Sequence, residues 1–176
     1  DQTVEPILPD TVISSPAHSV AQAPDEDIYI GTESSGLYIY SGNWKLKQHI
    51  PVDGTITAIL PDEGGNIWLG LDEAGICLFN KERQTFTWLH KDNTCLSNNS
   101  IRTLVPYSDS SILIGTFRGL NILDKKELAI APADINIAGK GGLSHYSIHS
   151  MMIDKDQTLW IGTYSAGVNY HSPFYG

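Results

Sequence analysis

Short apolar runs separated by polar turns follow one another along the whole chain, and one phrase built around two glycines returns four times. It reads IYIGTESSGLYIY from residue 28, NIWLGLDEAGICLF from residue 66, SILIGTFRGLNIL from residue 111 and TLWIGTYSAGVNY from residue 158. The first glycine of each copy is Gly31, Gly70, Gly115 and Gly162. Intervals of roughly 40 to 47 residues suit one supersecondary unit each, so the sequence predicts a repeat protein of four units.

Each unit divides into three or four strand-like runs. The units open with SVAQA, TITAIL, SIRTLV and SIHSMMI, and after the glycines they continue as LYIY, ICLF, LNIL and VNYH. The first three units add a fourth run, which is WKLKQHI, TFTWLH and the weaker LAIAPA. Short runs of β-formers bounded by Gly, Asp, Asn and Ser are typical of strands, and no stretch has helical spacing.

This pattern predicts an all-β fold, a β-propeller of four-stranded antiparallel blades with about four blades present. The blades are expected at about residues 18–50, 54–90, 99–132 and 146–175 of a single propeller segment that covers residues 1–176. The central runs IWLG and LWIG are apolar on both faces. Sheets that pack on both sides, as stacked blades do, require such runs.

Four positions in each unit have predicted packing roles. A large residue two positions before the first glycine is expected to wedge between neighbouring blades, and it is Tyr29, Trp68, Leu113 or Trp160. The first glycine would admit the backbone of the adjacent blade. The second would close a turn with positive φ, at Gly36, Gly75, Gly119 and Gly167. A hydroxyl and a β-branched residue begin each unit, at Ser19-Val20, Thr55-Ile56, Ser100-Ile101 and Ser147-Ile148. The first pair stands three residues nearer its glycine, which predicts a shortened loop in unit 1.

The net negative charge of the chain argues against two classes of binding partner. The 176 residues include 20 acidic and 11 basic side chains, a formal net charge of -9, and no basic cluster is longer than Lys125-Lys126. Such a charge repels a phosphate backbone or an anionic membrane, so we expect no nucleic-acid partner and no membrane contact by this segment. The hydrophobic content of 41% is that of a globular protein, and no apolar run has the length of a membrane span.

Candidate catalytic and metal-binding chemistry is sparse. Cys77 and Cys95 are expected to be free, because no Cys-x-x-Cys spacing is present. His145 and His149 fall on one side of a strand but lack a third ligand, so no metal site and no cofactor are predicted. There is no nucleophile elbow and no phosphate-binding loop, and the chain itself is not expected to be an enzyme.

The fullest copies of the unit are ITAILPDEGGNIWLGLDEAG, LSNNSIRTLVPYSDSSILIGTFRGLNILD and LSHYSIHSMMIDKDQTLWIGTYSAGVNY. This unit resembles the two-component regulator propeller repeat over roughly residues 18 to 175. The departures are Leu71 and Asp72 after the second copy's glycine, Leu113 in place of tryptophan, and the short first copy. The resemblance implies the extracytoplasmic, periplasmic sensor of a hybrid two-component system of gut Bacteroidetes, whose propellers have seven blades. Any kinase activity would lie in domains absent from this chain.

Unit four ends before a fourth strand, which leaves two closures of the fold open. In one, residues 1–10 pair as a closing edge strand and complete a ring of four blades. In the other, the chain is part of a larger propeller, and the blade number implied by the resemblance favours this interpretation. Open ends would expose apolar sheet faces, so self-association through the propeller edges is expected.

The predicted ligand surface is the rim that carries the turns between second and third strands. The same rim receives the residues that precede each first strand, and the candidates are Arg118, Phe117, Tyr164, Tyr146, Asn99, Asp72 and Glu73. Aromatic rings can stack on a sugar, while amide, carboxylate and guanidinium groups can bind hydroxyls or a uronate. Arg118 is the leading candidate, and a salt bridge from it to Asp72 or Glu73 is the alternative.

The predicted function is that of an extracytoplasmic sensor segment, which binds an oligosaccharide and transmits the signal to a membrane-linked histidine kinase. A non-catalytic scaffold that binds proteins through its rim or its open edge is the alternative. A propeller carbohydrate lyase or hydrolase is a third hypothesis, because propeller enzymes scatter their catalytic residues over several blades.

Overall fold

The structure is a computed structural model that describes residues 13–135 and 143–172, and these residues form four antiparallel sheets. Blade 1 contains β1 (Ala17–Gln22), β2 (Ile28–Thr32), β3 (Leu37–Tyr40) and β4 (Leu46–Ile50). Blade 2 contains β5 (Ile56–Pro61), β6 (Asn66–Leu71), β7 (Gly75–Asn80) and β8 (Thr85–Leu89). Blade 3 contains β9 (Ile101–Ser108), β10 (Ser111–Thr116), β11 (Gly119–Asp124) and β12 (Ala129–Pro132). Blade 4 contains β13 (Ile148–Ile153), β14 (Leu159–Thr163) and β15 (Val168–His171).

Strands within each sheet pair in sequence order, so every blade is a simple meander. Blades 1 to 3 have four strands, and the described part of blade 4 has three. The predicted all-β propeller architecture is therefore confirmed. Residues 1–10, the predicted closing edge strand, lie outside the described residues. Among the residues that the structure describes, no helix has the length and apolar character needed to cross a membrane.

Each blade packs on the next through a two-sided hydrophobic core. Tyr29 of blade 1 belongs to a buried cluster with Ile56 and Leu69 of blade 2, and Trp68 of blade 2 belongs to a cluster with blade 3. Leu113 of blade 3 joins a third cluster with blade 4. In blades 1 to 3 the predicted wedge residue therefore lies in the seam with the following blade, whereas Trp160 of blade 4 is 38% exposed.

The first glycine of the phrase leaves space in the seam, and a side chain of the next blade fills that space where the backbone was expected. A Cβ built on Gly31 would lie 2.6 Å from Cγ2 of Ile56, and one built on Gly70 would lie 2.5 Å from Cγ2 of Ile101. Gly115 stands in the same relation to Ile148, again at 2.6 Å. The expectation that the adjacent backbone approaches these glycines is wrong, because the isoleucine that opens the next first strand fills the space.

The start of unit 1 also differs from the sequence interpretation. Ala17 pairs with Thr32, just as Ile101 pairs with Thr116 and Ile148 with Thr163. Pro16-Ala17 is thus the structural counterpart of the hydroxyl and isoleucine pairs, and Ser19-Val20 lies three residues further along the strand. The predicted shortening of unit 1 was an error of alignment, caused by following residue type where proline and alanine replace the usual pair.

The turn glycines behave as predicted. Gly36, Gly75 and Gly167 have φ values of 82°, 83° and 76°, and Gly119 has 138°. These are left-handed conformations that favour glycine over residues with a Cβ. The phrase therefore sets the turn at one end of the second strand in all four blades.

Candidate functional site

The upper rim, defined here as the β2–β3, β6–β7, β10–β11 and β14–β15 turns with the residues that lead into the first strands, has a repeated framework. In every blade the first turn residue donates its backbone N–H to the carbonyl of the residue before the first strand. The pairs are Glu33 to Pro16, Asp72 to Thr55, Phe117 to Ser100 and Tyr164 to Ser147, at 2.9 to 3.0 Å. Each rim turn is thereby fixed against the strand nearest the propeller axis.

Three predicted site residues meet at the seam between blades 2 and 3. Asp72 and Glu73 are exposed in the turn, and the Glu73 N–H donates to Oγ of Ser100 at 3.3 Å. The carbonyl of Asn99 accepts the Gly75 N–H at 2.8 Å, and its amide Oδ1 accepts the Lys91 N–H at the same distance. Asn99 therefore has a structural role in holding the connection between the two blades. The carboxylates of Asp72 and Glu73 form no salt bridge with another described residue.

The three predicted aromatic residues flank one short stretch at the seam between blades 3 and 4. Phe117 follows Gly115, which packs against Ile148, and Tyr146 precedes that isoleucine by two residues. The Tyr164 N–H is bonded to Ser147 in the same stretch. Their side chains are 44%, 74% and 76% exposed for Phe117, Tyr146 and Tyr164. Such exposure leaves the ring faces available for stacking on an apolar face of a ligand.

Two guanidinium groups accompany these aromatic side chains. Arg118 is exposed in the same turn as Phe117, and the Arg102 guanidinium lies 5.6 Å from the centroid of the Phe117 ring. Neither arginine forms a salt bridge with another described residue, so the alternative pairing of Arg118 with Asp72 or Glu73 is not observed. Arginine presents a planar fork of donors that matches a carboxylate, which makes both groups suitable for an anionic ligand.

Arg102 is a candidate that the sequence interpretation missed. The pairing of β9 with β10 shifts register between Ile101 and Thr103, which leaves Arg102 as the extra residue of a bulge. β-Bulges redirect a side chain and are frequent at the ends of strands near functional sites. The available signal was its place directly after the isoleucine that opens the first strand, where the other units have His18, Thr57 and His149.

The lower rim, the opposite edge with the turns between first and second strands, holds a recurring contact between aspartate and tryptophan. Asp62 Oδ2 accepts the indole Nε1–H of Trp68 at 3.1 Å, and its Oδ1 accepts the N–H groups of Gly64 and Asn66. Asp154 does the same for Trp160 at 2.8 Å. Both carboxylates are therefore acceptors for the wedge tryptophans as well as for the N–H groups of their own turns. The signal was an aspartate six residues before each tryptophan.

Hydrogen bonds, charges and burial shift the pKa values of three side chains. The hydrogen bond from Trp160, followed by the one from the Thr158 N–H, lowers the pKa of the exposed Asp154 carboxyl. Burial by itself would lower the pKa of Lys81, but the hydrogen bond to the Tyr29 hydroxyl and the charges of Asp25 and Asp27 raise it. Burial also raises the pKa of the Cys77 thiol to about 12, which makes this cysteine an inert core residue.

A buried carboxylate holds blades 1 and 2 together beneath the lower rim. The carboxylate of Asp27, a residue only 3% exposed, accepts both hydrogen bonds of the Lys47 ammonium group at 2.6 and 2.8 Å. Lys81 of blade 2 lies 3.5 Å from Asp27 and donates to the Tyr29 hydroxyl at 2.9 Å. The network satisfies a charge that would be costly to bury alone, so its role is structural.

Two adjoining cavities also open on the lower rim, where the sequence predicted no site. They have volumes of about 250 and 570 Å³ and share Pro24, Pro61, Asp62, Glu63 and Asn66. Lys81 lines the smaller cavity and Lys125 the larger, so each cavity has one ammonium group beside several carboxylates. Within the described residues no group of three His, Cys, Asp or Glu side chains could hold a metal ion.

Comparison with protein families supports the resemblance seen in the sequence. The family model described as two component regulator propeller matches residues 142–165, the stretch that contains Tyr146 and Tyr164. Curated proteins gave no match.

Three solved structures have the same fold. The extracellular domain of BT3049 of B. thetaiotaomicron, named as a hybrid two component system, is 29% identical over 88% of this chain and 20% of that chain, with a TM-score of 0.64. The extracellular domain of BT4673 of B. thetaiotaomicron is 22% identical over 93% of this chain and 22% of that chain, with a TM-score of 0.69. The computationally designed protein Ika4 is 11% identical over 97% of this chain and 99% of that one, with a TM-score of 0.67.

The chain thus spans about a fifth of the length of the two extracellular domains. Two of these structures are extracellular domains of two component systems. The four antiparallel sheets, the packing between neighbouring sheets and the matched repeat all indicate propeller blades. The chain therefore carries the two component regulator propeller repeat and folds as the blades of a β-propeller.

Proposed function

We propose that this chain is the ligand-sensing part of a periplasmic sensor, and that it binds an acidic oligosaccharide at the upper rim. Its occupancy would be transmitted to a membrane-linked histidine kinase of the same signalling system. The observation that carries the proposal is the pair of guanidinium groups, Arg102 and Arg118, which lack carboxylate partners among the described residues and adjoin exposed aromatic rings.

The chemistry of the upper rim suits a uronate sugar. Tyr146 and Tyr164 offer exposed ring faces to the apolar face of a pyranose, and Phe117 is already covered on one side by Arg102. A guanidinium group can donate two parallel hydrogen bonds to a carboxylate.

The position of the aromatic residues also suggests how a bound ligand could change the packing of blades 3 and 4. The aromatic residues flank the stretch that leads into β13, and Ile148 of that strand fills the space above Gly115 of blade 3. A ligand that bridges Phe117 and Tyr146 would join two blades at their seam. We propose that it stabilises one relative position of blades 3 and 4, which is the change that a sensor needs to pass on.

The test is calorimetric titration of the chain with oligogalacturonate, with a neutral oligosaccharide of equal length in parallel. We expect binding of the acidic sugar alone, and a loss of affinity of roughly tenfold to a hundredfold in Arg118→Ala or Arg102→Ala, as for a hydrogen bond to a charged group. Arg83→Ala is the matched control, because Arg83 is exposed in the β7–β8 turn, away from the upper rim.

Unchanged affinity in both upper-rim variants, or no binding by a chain whose circular dichroism shows folded β-structure, would refute the proposal. Release of shortened sugars during the titration would favour a propeller lyase or hydrolase. Binding that survives in both variants but is lost in Lys125→Ala, which removes a cation lining the larger lower-rim cavity, would assign the ligand to the lower rim instead.

A further inference from the structure

Blades 2 and 3 each place a lysine at the same position of the lower rim, directly after the third strand. Lys81 follows β7 and Lys125 follows β11. Each donates its backbone N–H to the carbonyl of the residue before the second strand of its blade, Gly65 at 3.0 Å and Ser110 at 2.9 Å. Lys81 lines the smaller lower-rim cavity and Lys125 the larger. The two cavities are therefore equivalent places at successive seams.

At the seam between blades 1 and 2, the lysine has its charge partners in the preceding blade. The Lys81 ammonium group donates to the Tyr29 hydroxyl at 2.9 Å. It also lies 3.5 Å from the carboxylate of Asp27 and 3.8 Å from that of Asp25. Its positive charge is thus balanced within the chain.

At the seam between blades 2 and 3, the residues at the partner positions have a different chemistry. Trp68 stands where blade 1 has Tyr29, and two residues earlier Asn66 stands where blade 1 has Asp27. Asn66 has no charge, and the indole N–H of Trp68 already donates to Asp62. The chain therefore supplies no carboxylate at the position of Asp27 in this seam.

Lys125 consequently lacks the ion pair that its counterpart has. The residue is half-buried, and its ammonium group forms no salt bridge and no side-chain hydrogen bond with another described residue. Partial burial of an ammonium group is unfavourable unless an anion compensates for the lost hydration. A ligand carboxylate in the larger cavity would provide that compensation.

The larger cavity also contains negative charge that is not used within the chain. Glu63 of the β5–β6 turn and Asp109 of the β9–β10 turn line it, and both are exposed. Neither forms a salt bridge with another described residue. These carboxylates repel a ligand with only negative charges and attract an ammonium group. The lining therefore favours a ligand that carries one carboxylate and one ammonium group.

The rest of the cavity wall is apolar and rigid. It is formed by the side chains of Leu60, Pro61, Pro106 and Ile112. The proline rings fix the backbone at the ends of β5 and β9. A volume of about 570 Å³ lies within the range of small-molecule sites and leaves space for a ligand larger than one amino acid.

We propose that the larger lower-rim cavity binds a short zwitterionic peptide with free termini and an apolar side chain. The terminal carboxylate pairs with Lys125, the terminal ammonium group pairs with Glu63 and Asp109, and the apolar side chain packs on the proline wall. This site is separate from the upper rim and does not depend on the binding of an acidic sugar there.

The test uses the dipeptide alanyl-leucine, its N-acetyl form, which lacks the ammonium group, and its C-terminal amide, which lacks the carboxylate. Each is titrated into ¹⁵N-labelled chain while the backbone amide signals are recorded. We expect the dipeptide to shift signals at residues 62–66, 107–110 and 124–126. Each blocked form should bind roughly tenfold more weakly, because it loses one charge-assisted contact.

Two substitutions and a matched control assign the contact with the carboxylate. In Lys125→Ala the affinity for the dipeptide should fall roughly tenfold, and the dipeptide and its amide should then bind equally. Asn66→Asp supplies the carboxylate that Asp27 supplies in blade 1, and it should also weaken binding although the lysine is retained. Lys126→Ala is the control, because that neighbouring lysine is exposed, pairs with Glu127 and does not line the cavity.

Several results would overturn the proposal. These are equal binding of the three forms of the dipeptide, unchanged affinity in Lys125→Ala, an equal loss in Lys126→Ala, or no shifts at the lower rim up to about 10 mM dipeptide. Arg118→Ala should leave dipeptide binding unchanged. Failure of the lower-rim site can therefore be distinguished from failure of the upper-rim site, which is titrated with a different ligand.

Discussion

At the scale of single residues, a tryptophan at the wedge position requires an acceptor for its indole N–H. Trp68 is buried in the seam between blades 2 and 3, and its indole N–H needs an acceptor there, which Asp62 supplies. Blade 4 repeats the pair with Trp160 and Asp154. Where the wedge residue has no indole group, as Leu113 in blade 3, no aspartate stands at the same position. The aspartate therefore accompanies the tryptophan as the acceptor of its indole N–H, in addition to its bonds within the turn.

This pairing predicts a difference between two otherwise equivalent substitutions. Asp62→Ala and Asp154→Ala each remove the same bonds to turn N–H groups, but only Asp62→Ala leaves a buried indole N–H without an acceptor. We expect Asp62→Ala to lower the free energy of unfolding by about 1–3 kcal/mol more than Asp154→Ala does. Urea denaturation followed by tryptophan fluorescence measures the difference. Equal losses would show that the turn, and not the indole, is what these carboxylates stabilise.

At the scale of the blade, the seam depends on the absence of a side chain at the first glycine. None of Gly31, Gly70 and Gly115 has a positive φ, so their role is steric. The periodic apolar runs were enough to predict the strands, their order and the wedge residues. They were insufficient to show what fills the space above each glycine, because that partner lies on the next repeat and depends on three-dimensional register.

The dependence on three-dimensional register also explains why the first strand of unit 1 was aligned wrongly from the sequence. Ser19-Val20 matches the residue types of the other units, but the register of β1 against β2 makes Pro16-Ala17 the true counterpart. Hydrogen bonds from the backbone of Glu33 to Pro16 do not depend on side chains, so no pattern of residue types could reveal the alignment.

Alanine at the first glycine should therefore have an effect that depends on whether the seam is filled. In Gly70→Ala the new Cβ would collide with Ile101, and we expect overpacking to cost about 1–3 kcal/mol. In Gly162→Ala it would meet only the Ser150 hydroxyl, which can rotate away, so the cost should be below about 1 kcal/mol. Both variants are compared with the wild-type chain by urea denaturation. A cost for Gly162→Ala as large as that for Gly70→Ala would contradict the steric explanation.

At the scale of the whole molecule, the described blades form a row whose seams all point the same way and whose two end faces are exposed. The upper rim gathers the candidate ligand residues at two neighbouring seams, with Asp72 and Glu73 at one and Phe117, Tyr146 and Tyr164 at the other. Sequence reasoning could assign these residues to one rim because strand direction alternates in a meander. It missed Arg102, whose place after the opening isoleucine gains meaning only from the bulge in β9.

Ligand binding at the upper rim can be tested residue by residue by mapping the chemical shifts of the backbone amides. Uniformly ¹⁵N-labelled chain is titrated with oligogalacturonate while the backbone amide signals are recorded. We expect chemical-shift changes concentrated at residues 99–102, 117–118, 144–147 and 164–166, with little change at the lower-rim turns 62–65 and 108–110. Shifts confined to the lower-rim turns, or none at saturating sugar, would contradict binding at the upper rim.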